Sequence, residues 1–293
     1  MLLTPLDRAP AWTLAVVAML SVQLGAAISV GLFDDIGVAG TAWLRLTIGA
    51  IGFVLIARPR YWTWTWRQLR GPVLLGLVTA GMTLCFLGAI DRLPLGTAVA
   101  IEFLGPLTVA AISSRRASAL AWPILALAGV ILLTEPWRGT ADPVGVLYAV
   151  LAAVGWALYI VITQRVGDAF QGVDGLAISI PVAAIIVAFV GIPQAWGNLT
   201  VEVLLVGLGA SILLPLIPWT LELFALRRLT KAAFGTLMAL EPAIAVVIGV
   251  IVLVQRPDWW NLVGIVLVVI AGVAAERTGH RDVERPDLEY PGA

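Results

Sequence analysis

The sequence predicts an all-α polytopic membrane protein, with ten transmembrane helices in two inverted five-helix repeats. Three observations carry this. Of 293 residues, 60% are hydrophobic and only 12% charged, and the mean hydropathy is +1.00. Soluble proteins run near about 25% charged residues, so this chain cannot cover itself with a solvated surface. Ten apolar stretches follow one another, each close to the ~20 residues that a helix needs to cross a bilayer. Parts of the first five stretches recur in the last five.

The same composition excludes several classes. Ten spans with short connections leave no room for a soluble catalytic domain. Net charge is zero and the basic residues are scattered, so nucleic acid finds no basic surface. Cys85 and His280 are single residues of their kinds, which excludes an internal disulfide and argues against a Cys/His metal site. They also leave an intramembrane enzyme without a nucleophile–base pair. No G-x-x-x-x-G-K-[ST] segment occurs, so ATP is not hydrolysed by that route. No cofactor is expected. The expected partners are a small-molecule substrate, protons and the lipid bilayer.

Taken in order, the stretches are 11–32, 37–57, 71–90, 94–113, 118–134, 143–163, 174–193, 202–225, 231–254 and 259–275. The first is followed by more of the same and reads as a span, not a removable signal. It holds Gln23 at depth. The second carries Arg45 and is closed by Arg58-Pro59-Arg60, and the third follows Trp62, Trp64 and Trp66. The fourth holds Glu102 with Pro106 one turn on, and ends at Ser113-Ser114-Arg115-Arg116. Trp122 opens the fifth, and Trp156 lies within the sixth. The seventh runs toward Trp196. The eighth contains Pro215, Pro218 and Glu222 before Arg227-Arg228, and its prolines break the helix. In the ninth, Glu241 is followed by Pro242. Trp259 and Trp260 begin the tenth. Tryptophans at span ends suit the headgroup layer.

Basic residues set the orientation. With the N-terminus in the cytoplasm, fourteen of the eighteen lysines and arginines fall on the inner side and three (Arg92, Arg138 and Arg256) on the outer. Arg45 alone lies inside a span. Both termini are therefore expected in the cytoplasm.

The repeat is read from three matches. Leu87–Leu93 aligns with Leu223–Leu229 at an offset of 136, and the same offset sets Pro106 on Pro242. Leu127-Ala128-Gly129-Val130 resembles Ile270-Ala271-Gly272-Val273 after a seven-residue insertion. An odd number of spans in each unit inverts the second relative to the first, which suits a midplane site with alternating access. The organisation expected is a first repeat over 1–140, a second over 141–275, and a disordered cytoplasmic tail over 276–293.

Charges at membrane depth cost several kcal/mol, about 2.5–3.5 on insertion scales, so each one needs a reason. Arg45 is too deep to reach either face with ease. It either holds a substrate carboxylate by paired hydrogen bonds or neutralises a buried glutamate. Glu102 and Glu241 carry a proton, bind a substrate ammonium, or fix packing as neutral hydrogen-bonded groups. Glu222 either pairs with Arg227 or Arg228 or joins the site. Gln23 donates to a carboxylate or bonds a neighbouring helix, and Trp156 packs or lines the cavity. Pro106, Pro215, Pro218 and Pro242 are expected to shape or gate the cavity.

Several segments carry a likeness: Ser21–Ala27, Leu44-Arg45-Leu46, Glu102–Pro106, Gly155–Tyr159, Leu221–Arg227 and above all Phe234–Ala243. Together they resemble the EamA-type branch of the drug/metabolite transporter superfamily, most of all bacterial inner-membrane threonine/homoserine exporters. The resemblance covers about residues 12–275. It implies ten helices in inverted halves, cytoplasmic termini, a multi-pass inner-membrane location and secondary-active export of small metabolites. On this reading Arg45, Gln23, Glu102 and Trp156 bind substrate, and Glu241 with Glu102 couples protons. The alternative is an efflux carrier for cationic drugs or another metabolite, in which the glutamates hold the cation and Arg45 is structural. One departure stands out. Such proteins often carry Gly-Glu just after the ninth helix, where this chain has Val254-Gln255.

Overall fold

The structure, a computed structural model, describes residues 10–59, 64–113, 120–135, 141–170, 174–218, 221 and 238–278. Among these, every regular element is helical. The helices are α1 (Ala11–Val30), α2 (Phe33–Ala57), α3 (Trp66–Ile90), α4 (Leu95–Glu102), α5 (Leu104–Ser113) and α6 (Ala121–Thr134). They continue as α7 (Pro143–Ala169), α8 (Asp174–Ala195), α9 (Val201–Ser211), α10 (Glu241–Val252) and α11 (Trp259–Thr278). A π-helical turn, Ile212–Leu216, follows α9.

By length and composition, five described helices can cross a membrane: Trp12–Val30, Phe33–Ala57, Trp66–Ile90, Pro143–Thr163 and Asp174–Ala195. Shorter apolar helices occupy Leu95–Val109, Ala121–Thr134, Val201–Leu216, Glu241–Val252 and Trp259–Ala274. Large apolar side chains such as Leu55, Ile185, Phe189, Leu205 and Ile251 face outward, as expected where lipid is the solvent. The last helix runs through Thr278, beyond the boundary expected at 275. The tail beyond it lies outside the described residues, as do Glu222, Trp219, Arg227 and Arg228.

Proline chemistry explains where helices stop. Pro106 has no N–H to close a bond with the carbonyl of Glu102. The fourth stretch accordingly divides there, with α4 ending at Glu102 and α5 starting at Leu104. Pro242 likewise stands at the first turn of α10, where a missing N–H costs nothing. In the eighth stretch α9 ends at Ser211, and Leu214 is extended (φ −157°, ψ 108°) just before Pro215. Pro215 and Pro218 are both buried.

The packing pairs α2 with α8, α3 with α7 and α8, α4 with α10, and α6 with α11, while α1 lies between α9, the π-helical turn and α10. Small residues allow the approach, as is usual between helices in lipid. At the α6–α11 crossing, a Cβ on Gly129 would sit 2.6 Å from the Gly264 carbonyl, and one on Gly264 would sit 2.6 Å from that of Gly129. Each backbone fills the space that the other leaves.

Polar ties join the helix ends. Gly37 (φ 69°) interrupts α2 in a conformation that only glycine takes without strain. The Gln194 Oε1 then accepts the N–H groups of Ala39 (2.7 Å) and Gly40 (3.1 Å), serving the restarted helix. Asn198 donates to the Asp35 carbonyl at 2.8 Å, and Asn261 to that of Leu133 at 3.3 Å. Asp142 caps α7, accepting from Val144 (2.7 Å) and Gly145 (3.3 Å), and pairs with Arg92 at 3.3 Å. The Val144 N–H above all, with the other partners, holds the Asp142 carboxyl below its ordinary value.

Gly129→Val is expected to wedge α6 from α11 at a cost of ~1–3 kcal/mol, lowering the melting temperature of the detergent-purified protein. Gly81→Ala, whose added Cβ meets nothing within 4 Å, should leave it unchanged. Equal melting for both would refute the close crossing.

Candidate functional site

The site is assembled on α1. Its residues Ser21, Gln23 and Ser29 are buried, Gln23 at 1% exposure. Each reaches a different element. The Ser21 hydroxyl donates to the Leu213 carbonyl in the π-helical turn at 2.7 Å. Gly25, one turn on, lets that turn approach, since a Cβ there would meet Leu214 Cβ at 2.9 Å. The Gln23 Nε2 donates to the Glu241 Oε1 at 3.2 Å. Ser29 donates to the Gly25 carbonyl at 2.7 Å and accepts from the Arg45 Nη1 at 3.2 Å.

Glu102 and Glu241 are 8% and 4% exposed. Each stands at a helix discontinuity beside a proline: Glu102 closes α4 and Glu241 opens α10. Because α4 packs on α10, the two carboxyls come within electrostatic reach of each other. Among the described residues the Glu102 carboxyl makes no hydrogen bond. Glu241 Oε2 and Gln23 Oε1 are buried and without a partner. Unmade bonds at buried polar atoms are costly, about 1–3 kcal/mol each, and mark places for a ligand.

Arg45 is only 6% exposed. Its Nε has no partner, and no carboxylate meets it among the described residues. It does not neutralise Glu102 or Glu241. Its guanidinium donates to Ser29, the next-to-last residue of α1. Ser29 and Gln23 are six residues apart, about 9 Å along the α1 axis and about 120° around it. Arg45 and Glu241, from two different helices, thus bond to the same helix at separate levels.

Trp156 on α7 is half-buried and stacks edge-on against Phe103, with centroids 6.2 Å apart. Phe103 is the single residue between α4 and α5, so Trp156 supports the break next to Glu102. Sequence reasoning missed Ser29, whose serine carries no charge signal. It also missed Gln255, whose Oε1 accepts the Leu95 N–H at 3.1 Å at the start of α4. Gln255 also borders a cavity of about 180 Å³ with Thr97, Arg256 and Asn261.

Known proteins are similar to this chain in sequence. A model described as the EamA-like transporter family matches residues 143–274. The threonine/homoserine exporter RhtA of Salmonella typhimurium (strain LT2) is 36% identical over 283 residues, spanning 94% of this chain and 95% of that protein. The protein of the same name from Escherichia coli (strain K12) is 35% identical over 292 residues, 97% and 98% of the two chains. One solved crystal structure aligns with a TM-score of 0.64 at 20% identity, over 94% of this chain and 100% of that one. At that identity the likeness is one of fold.

Ser29→Ala removes the Arg45 Nη1 partner inside a low-dielectric core. Hydrogen bonds to charged groups are worth about 1.5–3 kcal/mol, so the variant should melt measurably lower in detergent. Unchanged melting would show that the guanidinium finds another acceptor.

Proposed function

This chain belongs to the EamA-like transporter family, and from that membership we propose that it exports small neutral amino acids, threonine and homoserine foremost, by secondary active transport across a bacterial inner membrane. The observation that carries the substrate class is a buried cation and two buried carboxylates that do not neutralise one another. A zwitterion supplies both missing partners. Cationic drug efflux fits less well, because it leaves the Arg45 charge unanswered.

The architecture proposed is ten spans in two inverted halves, 1–140 and 141–275, with cytoplasmic termini and the site at the midplane. The pattern of packing supports it. If α1, α2, α3, α4 and α6 correspond to α7, α8, α9, α10 and α11, then α2–α8, α4–α10 and α6–α11 each map onto themselves. The α3–α7, α3–α8 and α4–α7 contacts map onto α9–α1, α9–α2 and α10–α1, all of which occur. Such a mapping is what two interlocked halves require.

In the proposed cycle Arg45 binds the substrate carboxylate, and Glu241, assisted by Glu102, exchanges a proton as the site changes sides. Pro106, Pro215, Pro218 and Pro242 break the helices that line the path. Substrate, protons and lipid are the partners, and no catalytic step is needed.

The test is uptake of labelled threonine and homoserine into liposomes, with and without a pH gradient. Saturable, gradient-stimulated uptake is expected. Inhibition by hydrophobic cations in place of amino acids would overturn the substrate class. Arg45→Ala should weaken handling of the amino acid about tenfold or more while changing that of its amide less. Equal losses would remove Arg45 from carboxylate binding. Glu241→Gln should abolish gradient-driven flux and spare exchange, and driven flux surviving in that variant would place the proton elsewhere.

A further inference from the structure

The polar atoms left over around Glu241 are all of one kind. Gln23 spends one of its two amide N–H groups on the Glu241 Oε1 at 3.2 Å. The Gln23 Oε1 and the Glu241 Oε2 are both buried and without a partner. The third group, the Glu102 carboxyl, lies within electrostatic reach of Glu241 and makes no hydrogen bond among the described residues. Three side chains, each more than nine-tenths buried, therefore offer acceptors, against a single remaining donor, the second N–H of the Gln23 amide.

We infer that Gln23, Glu102 and Glu241 form a subsite for a primary ammonium group, one N–H to each residue. The inference deepens the amino-acid reading above and rests on it for the identity of the transported solute. A primary ammonium has three donors and no acceptor, which complements three acceptor groups, and its positive charge answers one of the two carboxylates. A hydroxyl in its place brings one donor and no charge. A trimethylammonium group brings the charge but no donor. The subsite therefore selects by counting N–H groups, and a buried acceptor left unpaired is what rejects the wrong ligand.

Gln23 has a second task. By donating to Oε1 it holds the Glu241 carboxyl with Oε2 turned to the ligand, so it both positions and binds. The proline breaks matter here as well. They end α4 at Glu102 and start α10 at Glu241, so neither glutamate is buried in the flank of a continuous helix.

The experiment measures binding and flux separately on the full-length protein. Binding is read as thermal stabilisation in detergent by homoserine, N-methylhomoserine, N,N,N-trimethylhomoserine, 2,4-dihydroxybutanoate, propylammonium and tetramethylammonium. Flux is read as counterflow of labelled homoserine in liposomes, with the same compounds as competitors. Each lost N–H is expected to weaken binding about tenfold, so the trimethyl compound, three donors short, and the hydroxy compound, two donors and the charge short, should both fail at a hundredfold excess. Propylammonium should stabilise where tetramethylammonium does not. Gln23→Leu should narrow the gap between homoserine and its N-methyl derivative, and the wild-type series carries the test if that variant does not fold.

Homoserine flux with equal competition by the trimethyl compound would overturn the subsite and leave the exporter reading intact. Stabilisation graded by N–H count, without amino-acid flux, would overturn the exporter reading and support the subsite. Stabilisation by none of the compounds would overturn the subsite.

Discussion

The hydrogen bond from Gln23 to Glu241 is the interaction on which the remainder turns. It joins residues 218 positions apart, and it fixes a carboxyl in a core with few polar groups to answer it. Once that bond sets the rotation of α1, the other polar residues of the helix have little freedom. Ser21 must face the π-helical turn and Ser29 must face α2, where they find the Leu213 carbonyl and the Arg45 guanidinium. One helix thus meets three needs that lipid cannot meet, because a buried polar group without a partner costs several kcal/mol in hydrocarbon. Polar residues here decide the rotation of α1, while apolar packing decides only its distance from its neighbours.

Two kinds of backbone exception place the site within that frame. Prolines interrupt the helices at Glu102 and Glu241, and glycines let neighbouring backbones touch. At the α4–α5 break Gly105 lies against the Ala153 carbonyl of α7, where any Cβ would collide. The discontinuity is therefore pressed into a neighbouring helix, and the Trp156–Phe103 contact holds it from the side. Glu102 owes its position to Pro106, Gly105 and Trp156 together.

Most of the apolar architecture was legible because hydrophobic runs and breakers act locally. Pro106 and Pro242 marked the discontinuities, and depth marked Arg45, Glu102 and Glu241 as unusual. Partners were not legible. No local signal tells Arg45 that it will meet a serine sixteen residues upstream and not a glutamate, since that depends on how far α2 slides against α1. Gln255 teaches the same lesson differently. In sequence it is a missing carboxylate. In the structure its amide oxygen accepts the Leu95 N–H, a task that needs an acceptor and no charge.

The ties at the helix ends share a pattern with consequences for motion. Gln194 to Ala39 and Gly40, Asn198 to Asp35, Asn261 to Leu133, Gln255 to Leu95 and Arg92 to Asp142 each join the first 140 residues to the remainder. Each engages a helix terminus or a connection between helices. Neutral bonds of this kind contribute about 0.5–1.5 kcal/mol, and an exposed ion pair about 0–1. Together they amount to a few kcal/mol, the scale on which two conformations of one protein are balanced. The α6–α11 crossing is different, because interlocked glycines give no graded series of positions, only contact or separation. In the proposed two-half architecture, a rigid crossing at one place and breakable ties at another would let the halves rock without coming apart. In that proposed motion the acceptors beside Gln23 would bias the preferred position, since filling them removes the cost of leaving them bare.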